Sequence, residues 1–166
     1  MVAGVGSNHF LHIPLIQNLA MTGTFTEVKT GRVLLGRFQA GGDLVTELET
    51  LSAHHVIELA SFSVQGAVSS VTWGVYDPSQ QVYVTRTATS PHHISVCAGN
   101  ISLKGGRPFV QAQGVFTDLE GRCIAGRIFS ETRLIAGEYE IMELLGTPLH
   151  RDYDPDTGMV LWQFPR

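Results

Sequence analysis

From Val56 to Leu145 the chain is a succession of short, β-branched runs broken by turn residues, and only one stretch ahead of it has helical spacing. Val56–Gln65 and Val68–Tyr76 read as successive strands joined at Gly66. Asp77-Pro78-Ser79-Gln80 is a turn, and Val82–Thr87 alternates cleanly, with Val82 and Val84 on one face. His93–Ile101 is a further strand, followed by the turn Lys104-Gly105-Gly106-Arg107 and the strand Pro108–Phe116. The turn Thr117–Gly121 leads into Arg122–Ser130 and then Leu134–Leu145. Upstream, Thr26–Gln39 reads as β structure until Gly41-Gly42-Asp43 breaks it, and Asp43 is a good N-cap for a helix beginning at Leu44. Leu44, Leu48, Leu51 and His55 fall at helical spacing, with Glu47, Glu49 and Thr50 on the other side. One helix followed by many short strands implies a compact, antiparallel α+β domain.

At 166 residues the chain is expected to form a single domain with one core. Residues 26–146 hold the patterned region. Residues 1–25 read as an extension, and residues 147–166 as a tail, each packing on the domain or on a neighbouring subunit. The tail ends in the apolar run Met159–Phe164, which must dock somewhere. Gly4 and Gly6 begin a G-x-G-x-x-G pattern, but position 9 is His and no strand precedes it, so a dinucleotide site is not expected.

The formal net charge of −4 argues against a dedicated DNA binder, because phosphate contacts need a basic excess. Only Lys29 and Lys104 are lysines, and no run of like charge resembles a nucleic-acid-binding tail. The low charged fraction, 16%, suggests that another subunit covers some apolar surface. Cys97 and Cys123 make neither a disulfide framework nor a metal cluster, and both read as small buried strand residues. With no basic leader and no apolar run of the ~20 residues a membrane helix needs, the expected location is the cytoplasm.

The strand Pro108–Phe116 carries the main functional question. Side chains alternate along a strand, so Gln111 and Gln113 share a row with Phe109 and Val115. Two amides in an otherwise apolar row need partners if that row is buried.

Several short motifs, in order, resemble the PPC (plants and prokaryotes conserved, DUF296) domain family over about Lys29–Leu145. They are Gly36–Leu51, Ser63–Gly66, Val71–Pro78, Ile94–Ser102, Gly106-Arg107-Pro108-Phe109, Asp118 with Gly121-Arg122, and Ala125-Gly126. Arg151, Asp154–Gly158 and Leu161-Trp162 resemble a common ending of bacterial members. The resemblance implies a compact two-layer, mostly antiparallel α+β fold with one main helix, shared in outline with acetolactate decarboxylase, and a homotrimer. Prokaryotic members are often labelled DNA-binding by association. The AT-hook core of plant members, Arg-Gly-Arg-Pro, does not occur here, and Gly106-Arg107-Pro108 is only a hairpin turn.

Many prokaryotic relatives have His-x-His where this chain has Gln111-Ala112-Gln113, and a further His where it has Arg127. Three imidazoles there can bind zinc with an open position. An amide is a poor zinc ligand and a guanidinium brings positive charge in the metal's place, so no metal or other cofactor is expected. If the hairpin turn centres on Leu119, Phe116 pairs with Arg122 and Gln111 with Arg127, and Gln111, Gln113 and Arg127 share one face. A one-residue slip would undo this. On that face Arg127 either holds an anion, such as a carboxylate or phosphate, or completes a self-satisfied polar network with the amides, within the chain or across a subunit interface. Asn100 is a further ligand-binding candidate. So is His93, at a position where relatives often have Glu and where it could line a cleft; a hydrogen-bonded structural role is its alternative.

The remaining clusters carry less. His92 and His93 are adjacent on a strand and face opposite sides, so they cannot share a metal. His54 and His55 suit a helix C-terminus. Asp152, Asp154 and Asp156 mimic a calcium loop, but Thr157 and Gln163 stand where it needs Gly and Glu, which favours a turn with Gly158 at its exit. Neither a nucleophile elbow nor a phosphate loop occurs, and Glu138 and Glu140 share a solvated face. The expected protein is a non-enzymatic, cytoplasmic homotrimer with a regulatory or binding role, DNA-associated in the family's sense. The alternative is a small-anion binder or metal-independent enzyme using Gln111, Gln113 and Arg127.

Overall fold

The computed structural model describes residues 23–164, so the glycine pattern at Gly4 and nearly all of the 1–25 extension lie outside it. Asp43 caps the helix as its residue type predicts: its side chain accepts from the Thr46 backbone N–H, and α1 runs Leu44–His54. His54 closes its last turn and His55 its C-cap. Leu44 and Leu48 bury the inner stripe, joined by Val45 and Ser52, while His55 stays exposed.

The strands are β1 (Lys29–Phe38), β2 (Ala60–Asp77), β3 (Val82–Ala88), β4 (His92–Lys104), β5 (Arg107–Thr117), β6 (Cys123–Leu145), β7 (His150–Asp154) and β8 (Met159–Gln163). The fold is α+β, mostly sheet with one helix, in the order β3-β2-β6-β5-β4-β7-β8 with β1 added on β6. β2 also pairs with β4, from Ala60 opposite Ile101 to Val68 opposite His92. Strands β2, β6, β5 and β4 therefore close into a ring. Its inside is packed with Phe62, Val64, Val68, Ile94, Ile101, Val110, Phe116, Ile128 and Ile141, and α1 lies against β5 and β6.

Two pairs of expected strands are in fact single long ones. Gly66 does not turn the chain; it sits at a β-bulge inside β2, at φ 139. A Cβ there would collide with the Ala136 carbonyl oxygen, so glycine keeps the strand continuous. Arg122–Ser130 and Leu134–Leu145 likewise merge into β6, which runs through Glu131 at φ 72. Turn residues and bulge residues look alike in a sequence because both relieve the same backbone constraint. The turn at Gly105-Gly106 is as expected, both residues having positive φ. Cys97 is buried, but Cys123 is exposed at the turn end of the β5–β6 hairpin, contrary to its expected burial.

Candidate functional site

Along β5, Val110, Ala112, Gly114 and Phe116 face the core, while Phe109, Gln111 and Gln113 face outward. The hairpin register differs from the expected one. The turn spans Asp118–Arg122, closed by the Asp118 N–H donating to the Arg122 carbonyl at 3.0 Å. One Asp118 carboxylate oxygen accepts from the Glu120 and Arg122 backbones, which centres the turn on Glu120. Thr117 therefore pairs with Cys123 and Phe116 with Ile124, and Arg127 stands opposite Gln113, not Gln111. The displacement is an even number of positions, so no side chain changes face. Gln111, Gln113 and Arg127 still share one surface.

They do not satisfy one another. Gln111 Oε1 and Arg127 Nε are both shut off from solvent, and neither has a hydrogen-bond partner among the described residues. Within the single chain, therefore, these side chains do not form the self-satisfied network. Instead, aromatic rings surround the Arg127 guanidinium, its carbon lying 5.1 Å from the Tyr83 and Phe129 ring centres and 5.8 Å from that of Phe109. The rings favour a cation on their faces and leave the N–H edges for hydrogen bonding.

Asn100 stands opposite Gln111 on β4, and it leads to a residue that sequence reasoning missed as part of the site. Its Oδ1 accepts from Arg151 Nη2 at 2.6 Å. Arg151 also donates through Nε to the Ser102 hydroxyl at 2.7 Å and through Nη1 to the Val160 carbonyl at 3.2 Å. Its guanidinium stacks 4.8 Å from the Trp162 ring, and the Trp162 indole N–H donates to Ser102 at 3.2 Å. Arg151 is buried, 6% exposed. Burial, and after it the charge of Arg127, pushes the Arg151 pKa down to about 10. Two guanidiniums thus feel each other on one face. The ion pairs among the described residues belong to Arg32 and Arg122, not to these two.

The β7–β8 hairpin that brings Arg151 lies along the site. At one end Leu103 pairs with His150 in parallel. At the other, the Tyr76 hydroxyl donates to the Thr157 carbonyl and Gln81 Nε2 donates to the Asp156 carbonyl at 2.7 Å. Of the three aspartates of this segment, Asp154 serves its turn, accepting from the Thr157 hydroxyl, and Gly158 takes a positive φ of 68 at the exit. Asn100 and Trp162 also line a cavity of about 490 Å³ with Val28, Leu59, Leu144 and Leu149.

His93 is not part of this cluster. It is exposed and pairs with Thr117 at the far end of β5, about 13 Å along the strand from Gln113 at the usual rise. The hydrogen-bonded histidine is its neighbour His92, buried with Nδ1 2.8 Å from the Ser90 carbonyl. Nor do the described residues gather three or more His, Cys, Asp or Glu side chains around a common point. The site consists of amides, guanidiniums, hydroxyls and aromatic rings.

The profile of the Plants and Prokaryotes Conserved (PCC) domain matches residues 25–155. A metal-containing protein from Archaeoglobus fulgidus is 30% identical, with 86% of this chain and 100% of that one covered at a TM-score of 0.82. A plant- and prokaryote-conserved (PPC) protein from Pyrococcus horikoshii is 24% identical, with 87% and 99% covered and a TM-score of 0.80, a likeness of fold. A "Putative DNA-binding protein" from Ralstonia eutropha is 26% identical, with 79% and 90% covered and a TM-score of 0.69. Among curated proteins none matches the chain.

Proposed function

The chain belongs to the Plants and Prokaryotes Conserved (PCC) domain family, and we propose that it serves there as a non-enzymatic binding protein whose ligand is a small anion held at Arg127 and Arg151. The observation that carries this reading is the Arg127 Nε donor, shut in beside a second guanidinium with no acceptor in reach. A buried donor left unsatisfied costs about 1–3 kcal/mol, and an anion would recover it as a charge-assisted bond. A carboxylate or phosphate fits the edge of a guanidinium whose faces are covered by rings.

The same chemistry sets the site apart from a metal site. Neutral amides at Gln111 and Gln113 are weak donors to a divalent ion. The Arg127 charge that already disfavours protonated Arg151 acts against any further cation. Unlike the metal-containing Archaeoglobus relative, this chain offers a site suited to an anion. A metal-independent enzyme is the weaker reading: the Ser102 hydroxyl meets two donors, Arg151 and Trp162, rather than a base, and amides, guanidiniums and rings supply no group that exchanges protons near neutral pH.

The binding protein works as a homotrimer in the cytoplasm. Supporting the oligomer, Val33 and Leu35 on β1 and Val75 and Val84 on β2–β3 stand 46–75% exposed. Two free thiols suit a reducing compartment, and no helix among the described residues is long and apolar enough to cross a membrane. A regulatory, DNA-associated role is the second reading, favoured by the description of the Ralstonia relative.

Calorimetric titration with succinate and with inorganic phosphate at low salt tests the anion site. The wild-type chain is expected to bind, and Arg127→Met to lose about tenfold or more in affinity while melting close to the wild type. Failure of the wild-type chain to bind either anion sinks the reading.

A further inference from the structure

The site holds two shut-in polar atoms without partners, and they are of opposite kinds. Arg127 Nε is a donor; Gln111 Oε1 is an acceptor. An anion supplies acceptors only. It satisfies the arginine and leaves the glutamine oxygen as it was. Resting on the anion-binding reading, the geometry points to a more particular ligand class: a hydroxycarboxylate, whose carboxylate meets the guanidinium while the neighbouring hydroxyl donates to Gln111 Oε1.

The register gives the two atoms a common ligand. Gln113 stands directly opposite Arg127, and Gln111 is the next residue on the same face, a diagonal neighbour of Arg127. Such neighbours have Cα atoms about 7–8 Å apart and side chains within mutual reach. On its other side Gln111 faces Asn100, whose amide is oriented by the Arg151 bond to its Oδ1 and makes no Nδ2 bond to Gln111 Oε1. Both Gln111 and Arg127 are half-buried rather than sealed. Both are also long and unbranched, so rotation about their side-chain torsions brings the two inner atoms to a ligand that first meets their outer ends.

The donor must be uncharged. An ammonium group would place a third positive charge beside Arg127 and Arg151, whose mutual repulsion is already felt. A hydroxyl brings the proton without the charge. A hydroxyl that meets a buried, otherwise unpaired acceptor also discriminates well, because the analogue lacking it leaves the acceptor unsatisfied.

Malate and succinate differ by that hydroxyl alone and are matched in charge at pH 7.5, so calorimetric titration of the full chain with each reads the inference directly. Malate is expected to bind the wild-type chain about fivefold or more tightly than succinate. In Gln111→Met, which keeps length and removes the acceptor, the ratio of malate to succinate affinity is expected to fall to about one. A melting curve close to the wild type shows that the variant is folded. Equal binding of both acids to the wild-type chain overturns the hydroxyl requirement while leaving the anion site standing. A malate preference that persists in Gln111→Met also overturns it, since the hydroxyl then meets another acceptor. Binding of neither acid overturns this inference, and if inorganic phosphate also fails to bind, the anion site falls with it.

Discussion

One oxygen of the Asp43 carboxylate closes the first turn of α1, accepting from the Thr46 backbone and hydroxyl at 3.0 Å each. The other oxygen reaches across the molecule to β6, where it accepts from the backbone N–H groups of Glu131 at 2.6 Å and Thr132 at 3.1 Å. Glu131 is the residue with φ 72, so the same carboxylate that starts the helix holds the irregular point of the longest strand. Replacing Asp43 by alanine removes the cap and leaves two strand donors unsatisfied. A loss of roughly 2–4 kcal/mol in denaturant unfolding is expected, well beyond the cap alone. The helix-capping half of this role was legible in the sequence, because Asp43 and Thr46 are local. The other half was not, since nothing near Asp43 announces a partner 88 positions away. Arg151 escaped for a related reason. An arginine in a short tail reads as a solvated charge, and its burial depends on Ser102, Asn100 and Trp162, which only the folded sheet brings beside it.

Between Lys29 and Leu145 elements were read correctly in kind and less well in length, while β7 and β8 lie in the stretch read only as a docking tail. The alternation inside β5 placed Gln111 and Gln113 outward without any knowledge of the neighbouring strands, since a period of two is a property of the strand itself. Pairing is another matter. The Asp118 carboxylate gathers two backbone N–H groups and an arginine, and so sets a turn one residue further along than the midpoint of the loop suggests. Bulges were misread as ends, because Gly66 looks like a strand terminator until the Ala136 oxygen that it must clear is in view. Gly66→Ala tests that point. The added methyl meets backbone that cannot swing aside, at a φ that L-residues rarely adopt. A loss of about 2 kcal/mol or more is expected in thermal or denaturant unfolding. Stability close to wild type would mean that β2 and β6 part at the bulge more easily than their pairing implies.

At the scale of the whole molecule, the apolar residues left on the outside mark where a second copy would pack. Leu35 is 75% exposed and Val33 52%, both on the strand that borders β6. A lone chain would expose this row to water, and burying a side chain of this size is worth about 1.5–3 kcal/mol. Light scattering coupled to size exclusion is expected to give three times the 18.1 kDa chain mass, and Leu35→Arg to shift the population toward the single chain. A wild-type protein that elutes as one chain at micromolar concentration would rule out the homotrimer.

β6 pairs with β1, β2 and β5 and ends at Leu145. During synthesis these three strands emerge first and must wait, each with an open edge, for a partner made after all of them. Contacts so distant in sequence form slowly, and chains are most prone to stick to one another while such edges are bare. The interval of translation before the sixth strand leaves the ribosome, more than the finished fold, is thus when these edges are open to aggregation.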